Sequence, residues 1–262
     1  MRFVVCVKEV PAGSSRRAID PGTLRLRRDG DCELNAFDAH ALEEALRLLD
    51  DVGSGEVVAL SLGPPRAGKS LRRCLALGAT RAVLVSDEAA AGSDLVATTA
   101  VLGRLLERER PDLILFGQQA EDSDGGLLYA AVADRLRLPA ISKAGQLEIV
   151  DGKLQAWRST EDGRELVRLP LPAVVAVSRA ANEPRQASLK GSIEARKRPL
   201  EECTLAGLGL DPAAAGERGS RTVVHALSVP ELARGRERFE GDAGHAAEHI
   251  LAFLTARGVL ET

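Results

Sequence analysis

Two stretches of this sequence carry residue types that can bind phosphate, and the first centres on a glycine pair. A short apolar run at 112–116 leads into a polar loop that ends at Gly125-Gly126, and an apolar run of helical spacing follows at 127–138. Glycines at the start of a helix leave backbone N–H groups uncovered, and such groups bind phosphate. An ordinary turn between a strand and a helix, with acidic residues favoured at the helix N-terminus, explains the same pattern.

The second stretch, residues 63–70, fits the phosphate-loop pattern G-x-x-x-x-G-K-[ST]. In that pattern Lys69 contacts phosphate and Ser70 contacts magnesium, which makes a P-loop-like ATPase an alternative function. Pro64 and Pro65 count against it, because a phosphate loop binds with successive backbone N–H groups and proline has none.

Residues 245–249 read H-x-x-E-H, the inverted zinc-protease pattern, with His245 and His249 one helical turn apart. Zinc requires a third protein ligand, and Glu261 is the only acidic residue that follows. The pattern is therefore predicted to be a solvated helix face, without a metal. The acidic pairs at 43–44 and 201–202 are likewise predicted to be exposed helix charges and not catalytic pairs.

Composition excludes several classes of function. Aromatic residues make up 3% of the 262 residues and the net charge is −3, so nothing attracts nucleic acid or provides a stacking surface for bases. The cysteines are far apart and form no metal or redox pair; they are Cys6, Cys32, Cys74 and Cys203. The sequence shows neither a signal-peptide pattern nor a run of membrane-spanning length, so we expect a cytoplasmic protein that is not inserted in a membrane.

The elements that must position these residues alternate between strand and helix. Strands are predicted at 3–7, 56–62, 82–85 and 112–116, and helices at 39–50, 70–77 and from Ser93 or Asp94 to 109, with Asp38 as a plausible N-cap of the first. This order predicts a doubly wound, mostly parallel sheet between two helical layers, which is a three-layer, Rossmann-like α/β fold.

The pattern changes after Pro139. Strands at 146–150, 154–158 and 165–169 are separated by tight-turn residues and predict an antiparallel meander, and a further buried strand is expected at 173–177. Beyond Asn182 the chain is basic and is predicted to be a loop, followed by a polar tail and a last helix at 242–257.

Several stretches resemble the β subunit of electron transfer flavoproteins. They are A-W-R-S-T-E-D-G-R-E-L-V at 156–167, P-A-V-V-A at 172–176, A-N-E-P-R-Q-A-S-L-K-G at 181–191, V-V-C-V-K-E-V-P at 4–11 and N-A-F-D at 35–38. The resemblance covers about residues 1–200. It implies an α/β nucleotide-binding core at 1–200, similar to adenine-nucleotide hydrolases in fold, which includes a recognition loop at 182–198. Residues 201–262 would be a C-terminal arm and helix that pack on an α subunit.

The resemblance implies an electron carrier and not a substrate-transforming enzyme. Members are αβ heterodimers whose FAD lies mostly on α, and they pass electrons from flavin-dependent dehydrogenases to a quinone oxidoreductase or another acceptor. The β subunit holds a nucleotide of its own, which is AMP in most members and a second FAD in bifurcating members. The P-loop-like pattern would then be a coincidence within a turn.

The nucleotide site of the family carries over to strand ends and to one helix start. Its positions here are Cys6, Asn35, Ala36, Phe37, Asp38, Leu62, Asp122, Ser123, Asp124, Gly125, Gly126, Leu127 and Leu128. The family usually has Gln-Thr-Gly or Gln-Val-Gly where this chain has Gly126-Leu127-Leu128, so only backbone donors would remain there. The sequence therefore leaves AMP, a second FAD and an empty site open.

The recognition loop of the family corresponds to the basic stretch after Asn182. Its protruding apolar anchor corresponds to Leu189, and an apolar anchor within a basic rim is typical of a hot spot with steering charges. The residues expected to contact a partner dehydrogenase are Leu189, Arg185, Lys190, Ile193, Arg196 and Lys197.

Overall fold

The structure is a computed structural model that describes residues 1–13, 18–228 and 238–260. The strands in this part of the chain are β1 (Arg2–Cys6), β2 (Glu9–Pro11), β3 (Ile19–Asp20), β4 (Arg25–Leu26), β5 (Cys32–Leu34), β6 (Glu56–Leu62), β7 (Arg81–Val85), β8 (Leu113–Gly117), β9 (Ala140–Val150), β10 (Lys153–Thr160), β11 (Gly163–Pro170), β12 (Ala173–Val177) and β13 (Glu201–Cys203). The α-helices are α1 (Ala36–Val52), α2 (Gly68–Leu77), α3 (Leu95–Glu109), α4 (Leu128–Leu136), α5 (Leu189–Lys197), α6 (Gly216–Gly219) and α7 (Ala243–Ala256).

Nine of these strands form one sheet, in the order β11-β10-β9-β12-β8-β1-β6-β7-β13. Neighbouring strands from β9 to β13 in this order run parallel, whereas β10 pairs antiparallel with both β9 and β11. The predicted mostly parallel sheet with an antiparallel meander is therefore confirmed.

The strand order reverses direction at β1. From β1 the chain proceeds to β6 and β7 on one side, and it then returns to place β8 on the other side of β1. The register aligns Cys6 of β1 with Leu60 of β6 and with Phe116 of β8, so the carboxyl ends of these three strands meet at one edge. Ligands of open α/β sheets bind at such a point of reversal.

Alternate residues of the strands fill two separate cores. Phe3 and Val5 pack with α1 and α2 on one face of the sheet, whereas Val4 and Cys6 pack with α3 and α4 on the other. Residues on both faces are fully buried, which is why the central strands read as continuous apolar runs. The result is the three-layer arrangement that the sequence predicts.

Three expectations about local structure are wrong. Helix α1 begins at Ala36 with Asn35 at its N-cap, so Asp38 lies inside the first turn and is not the cap. The chain after Asn182 is not only loop, because α5 forms there and β13 follows it. Strand β13 pairs with β7, so Glu201 and Glu202 lie on an edge strand and not on a helix.

Contacts divide the chain into two compact units, Met1–His225 and Ala226–Thr262. The first contains the whole sheet, including β13. The second contains α7, whose N-cap Asp242 accepts hydrogen bonds from the backbone N–H groups of Gly244 and His245. Of the helices in the described ranges, none is long and apolar enough to cross a membrane.

Gly117, the last residue of β8, permits the close approach of α1 to the sheet. A Cβ atom at this position would lie 2.5 Å from Asp38 Oδ1 and 2.6 Å from the Phe37 carbonyl carbon.

We expect Gly117→Ala to lower the free energy of unfolding by about 1–3 kcal/mol, because backbone atoms of α1 would have to move. Chemical denaturation of the variant measures this loss. Gly145→Ala is the matched control, since its nearest neighbour would be 3.7 Å away; equal stability of the two variants would contradict the prediction.

Candidate functional site

The sequence-predicted nucleotide residues lie at the carboxyl edge of the sheet, around the reversal at β1. Cys6 ends β1 and Leu62 ends β6, while residues 35–38 open α1 and Gly125 to Leu128 lead into α4. Because β6, β1 and β8 are neighbours in register, these segments share one edge. The fold therefore brings together residues that are spread over more than a hundred positions of sequence.

Asn35 connects the start of α1 to the loop after β8. Its side chain is 1% exposed, and its Nδ2 donates to the Gln119 carbonyl at 2.9 Å while its Oδ1 accepts from the Glu121 N–H at 3.1 Å. Both ends of the amide are thus used within the protein. The role of Asn35 in this geometry is to shape the loop.

Asp38 connects the same helix to two strands. Its Oδ2 accepts from the Lys8 N–H at 2.7 Å, just beyond β1, and its Oδ1 accepts from the Gly117 N–H at 3.2 Å, at the end of β8. Burial raises the pKa of Asp38 to about 7, against the opposing effect of these hydrogen bonds and of Asn35. The neighbouring Cys6 thiol also has its pKa raised, by burial and then by the Asp38 charge, so it stays protonated and is not a nucleophile.

Asp122 is held by two cations. Its carboxylate is 1% exposed and accepts from Lys8 Nζ at 2.8 Å and from Arg28 Nη2. Burial acts to raise the pKa of Asp122, but Lys8 and Arg28 outweigh it and hold the pKa below its ordinary value. Two cations, Lys8 and Arg28, are thus placed where the loop toward α4 begins, and cations at such a position attract an anion.

The loop around Gly125 and Gly126, which precedes α4, presents backbone donors. Asp124 and Gly126 have left-handed φ angles of 50° and 56°, and Gln119 Nε2 donates to the Asp124 side chain. The first N–H groups of any helix have no i−4 partner within it. In α4 no side chain at the N-cap, Leu127, binds them instead. The space beside Gly125 is open to 4 Å, and the Ser123 side chain is exposed. This geometry suits an anion bound by the backbone.

A cation–π contact lies at the start of α1, beside this edge of the sheet. The Arg179 guanidinium lies 5.1 Å from the centre of the Phe37 ring, and Arg179 Nη1 is 3.5 Å from Glu121 Oε1. Phe37 follows Ala36, the first residue of α1, so the start of the helix is covered by a cation. Sequence patterns did not indicate Arg179.

Four other residues that lie at this candidate site were also not predicted as site residues from the sequence. Lys8, Gln118 and Gln119 lie within two residues of the ends of β1 and β8, and polar residues at the carboxyl ends of neighbouring parallel strands are a usable signal for a site. Arg28 had no such signal, because it reaches Asp122 from a stretch that is 94 residues away in sequence.

The P-loop-like stretch does not form a phosphate loop. Residues Pro65–Ala67 form a 3-10 turn that runs directly into α2. The Ala67 N–H donates to the Pro64 carbonyl at 2.9 Å, and the Gly68 N–H donates to the carbonyls of Pro65 and Arg66. Lys69 is exposed while Ser70 is buried, so the two side chains do not face one ligand. This arrangement does not favour the ATPase alternative.

The histidine pattern on α7 is used for local contacts. His245 Nδ1 pairs with Asp242, and the His249 ring stacks on Phe239 with ring centres 5.1 Å apart. Within residues 1–13, 18–228 and 238–260, no group of three or more His, Cys, Asp or Glu side chains could hold a metal ion.

The expected partner-binding residues lie on or near α5. Leu189 and Ile193 are 79% and 48% exposed, and with their spacing of four they share a face of the helix. The opposite side is fixed to α2, since a Cβ at Gly191 would lie 2.7 Å from the Ala76 carbonyl oxygen and Ala195 is buried. Exposed cations flank this face; they are Lys190, Arg196 and Lys197.

Arg185 is engaged within the chain. Its guanidinium binds both carboxylate oxygens of Glu43, at 2.8 Å and 3.1 Å, and also lies 3.3 Å from Asp50. Asn182 donates to Glu44 at 2.9 Å. The prediction that Glu43 and Glu44 are exposed is therefore wrong: both are buried on α1 and fasten the segment that leads to α5.

The fold defines a Rossmann-like α/β protein with a polar, glycine-containing loop at its point of strand reversal. A family model described as electron transfer flavoprotein domain matches residues 23–207. Three curated relatives match nearly the whole chain. Electron transfer flavoprotein subunit beta of Thermoanaerobacterium thermosaccharolyticum is 35% identical over 262 residues, covering 99% of this chain and 100% of that protein. Caffeyl-CoA reductase-Etf complex subunit CarD of Acetobacterium woodii is 36% identical over 243 residues, 92% of each chain. Protein FixA of Azotobacter vinelandii is 34% identical over 267 residues, covering 97% and 94%.

The chain belongs to the electron transfer flavoprotein family, as a β subunit. The resemblance found in the sequence is confirmed by these matches. Membership brings an electron-transfer role, an α-subunit partner and association with flavin.

The buried Asp38 makes stability depend on pH. Because the folded protein holds this proton more tightly than the unfolded chain, the free energy of unfolding is expected to fall as pH rises from about 4 to about 7, by at most about 1.4 kcal/mol per pH unit. Asp38→Asn should flatten this part of the profile. Thermal unfolding of the complex with the α subunit, measured from about pH 5 to about pH 8, checks this.

Asp134→Asn is the matched control, because Asp134 is exposed on α4. It should keep the wild-type profile. An unchanged slope in Asp38→Asn would show that Asp38 does not titrate in this range.

Proposed function

We propose that this β subunit binds an adenine nucleotide of its own at the reversal of strand order, with a phosphate on the loop from Asp122 to Leu128. The observation that carries the proposal is the uncapped start of α4 beside a buried carboxylate that is held by Lys8 and Arg28. Backbone donors beside the cations Lys8 and Arg28 suit a phosphate, and the Asn35 side chain positions the loop after β8. AMP and a second FAD fit this chemistry equally, because they share the adenosine phosphate.

The nucleotide on the β subunit would be structural if it is AMP and would add a redox centre if it is FAD. In both cases the electron-carrying FAD is held together with the α subunit. Electrons would come from flavin-dependent dehydrogenases and pass to a quinone oxidoreductase or another acceptor. The name of one relative places that protein in a caffeyl-CoA reductase–Etf complex. This supports the proposal that the present β subunit docks to a redox enzyme. A bifurcating role is open to test.

Helix α7 supports the proposal that the C-terminal arm (201–262) packs on the α subunit. Ile250 and Leu251 are 57% and 55% exposed on this helix. Exposed apolar side chains grouped on a helix are typical of a surface that a partner covers. Cytoplasmic localisation stays a prediction from the sequence.

The nucleotide content of the heterodimer tests the proposed site. The chain is co-expressed with its α subunit, the purified complex is denatured, and released FAD and AMP are counted per heterodimer. One FAD with one AMP identifies a structural nucleotide, and two FAD identify a second flavin site. One FAD without any further nucleotide would overturn the proposal. Lys69→Ala is the control and should leave the content unchanged, since Lys69 is outside the site.

Helix α5 carries the features expected of a dehydrogenase contact. Its inner side is held by Arg72, which donates to the carbonyls of Ala195 and Arg198 at 3.3 Å each. Leu189 is therefore presented on a fixed helix, so that little ordering is required on binding. Lys190 is 85% exposed and lies 4.0 Å from Glu194, an exposed pair that leaves it available for steering, whereas Arg185 is bound by both carboxylate oxygens of Glu43.

We expect Leu189→Ala to lower kcat/KM for reduction of the heterodimer by its dehydrogenase by about tenfold or more, because truncation of an apolar anchor removes a hot spot. Folding and α-subunit binding should be unaffected, since the side chain is exposed. Leu95→Ala, at an exposed leucine on α3, is the matched control. Equal rates for the two variants would remove the anchor role of Leu189.

A further inference from the structure

The segment between β2 and β5 contains a small hairpin that two ion pairs join to other parts of the chain. We call residues 18–31 the hairpin segment. It holds β3 and β4, with the turn closed by Asp20 Oδ1, which accepts from the N–H groups of Gly22 and Thr23 at 3.0 Å and 2.8 Å. Its base is held by the pairing of β2 with β5 and by the Ala12 N–H, which donates to the Asp31 carbonyl at 2.9 Å.

The hairpin segment is attached at two distant points of the sheet edge. Arg28 binds Asp122 in the loop after β8, and Arg25 binds Glu217. Glu217 itself lies against the loop after β7, where its N–H donates to the Ala91 carbonyl at 3.2 Å. Gly92 permits this contact, since a Cβ there would collide with both Arg25 and Glu217.

These attachments determine what the hairpin segment covers. In the sheet β8 and β7 are separated by β1 and β6, in the order β8-β1-β6-β7. A segment fastened to the loops after β8 and after β7 spans the side of the sheet at which the two strands between them end. Those ends are Cys6 and Leu62, which border the proposed nucleotide site.

The two attachments differ in strength. Asp122 is 1% exposed and binds two cations, whereas the Glu217 side chain is 75% exposed. Exposed ion pairs contribute little, and breaking a buried pair is costly. The attachment at Asp122 is thus the firm end. Arg28 Nη1 at this end is buried and has no hydrogen-bond partner, so a donor is left for an anion beneath the hairpin segment.

We propose that the hairpin segment lies across the nucleotide site and retains the bound nucleotide, with Arg28 as the positioning residue that holds it on Asp122. The inference rests on the proposed function, because it concerns the nucleotide of the same site. Release then requires the Arg28–Asp122 pair to break, so this pair sets the dissociation rate. Lys8 keeps Asp122 charged and in place when Arg28 leaves.

The test uses the complete heterodimer with the nucleotide that co-purifies. The complex is incubated with excess ATP, and the AMP, or the FAD in excess of one per heterodimer, that remains bound is quantified after timed gel filtration. Arg28→Gln is expected to accelerate loss by about tenfold to a hundredfold, which corresponds to one lost charge-assisted hydrogen bond. Arg28→Lys should restore slow release in part.

Arg27→Gln is the matched control, because it removes the same charge one residue away, where Arg27 pairs only loosely with Asp20 at 3.5 Å. It should release at the wild-type rate. If Arg28→Gln does not fold, Glu217→Gln loosens the other attachment and is expected to accelerate release by a few-fold.

Each outcome decides between the two proposals. A heterodimer without a second nucleotide overturns both the site and the retention role. A loaded heterodimer whose release rate is the same in wild type and Arg28→Gln overturns the retention role alone. Faster release in Arg28→Gln than in Arg27→Gln supports positioning, with or without a lowered thermal midpoint, because loss of a buried ion pair lowers the midpoint as well. A lowered midpoint with unchanged release shows that Arg28 only stabilises the fold.

Discussion

The interaction on which the rest of this structure depends is the buried contact of Asp38 with two backbone N–H groups. One belongs to Lys8 beyond β1 and the other to Gly117 at the end of β8. The carboxylate joins the two strands at which the strand order reverses, and it fixes the start of α1 above them. A buried carboxylate is tolerated there because its oxygens are hydrogen-bonded, and its raised pKa is the cost of that burial.

The site is built outward from this contact. Asn35 shapes the loop after β8, and Asp122 further along that loop fastens the hairpin segment through Arg28. The side chains of Asn35 and Asp122 are therefore used to position the loop and the hairpin segment. In our proposal, an anion binds instead to the backbone N–H groups at the start of α4. The Cys6 thiol at this edge is kept protonated by burial, which raises its pKa.

Much of this could be predicted from residue patterns. Central strands such as β6 and β12 were placed to the residue, because strands buried on both faces are continuous apolar runs with sharp ends. Helix α5 was missed, because its apolar residues Leu189 and Ile193 face outward and give no amphipathic signal toward the core. Asp38 was assigned as a helix cap, because a local pattern cannot show that a carboxylate accepts from strands distant in sequence.

The sequence by itself determined the alternation of strands and helices and the family, because these follow from local periodicity and from motifs. Only the tertiary structure decided what the charged groups do. It paired Arg185 with Glu43, brought Arg28 to Asp122 and Arg25 to Glu217, and used the N–H groups of the P-loop-like stretch within a helical turn. The physical reason is that an ion pair or hydrogen bond depends on distance in space, and the order of strands in the sheet sets that distance.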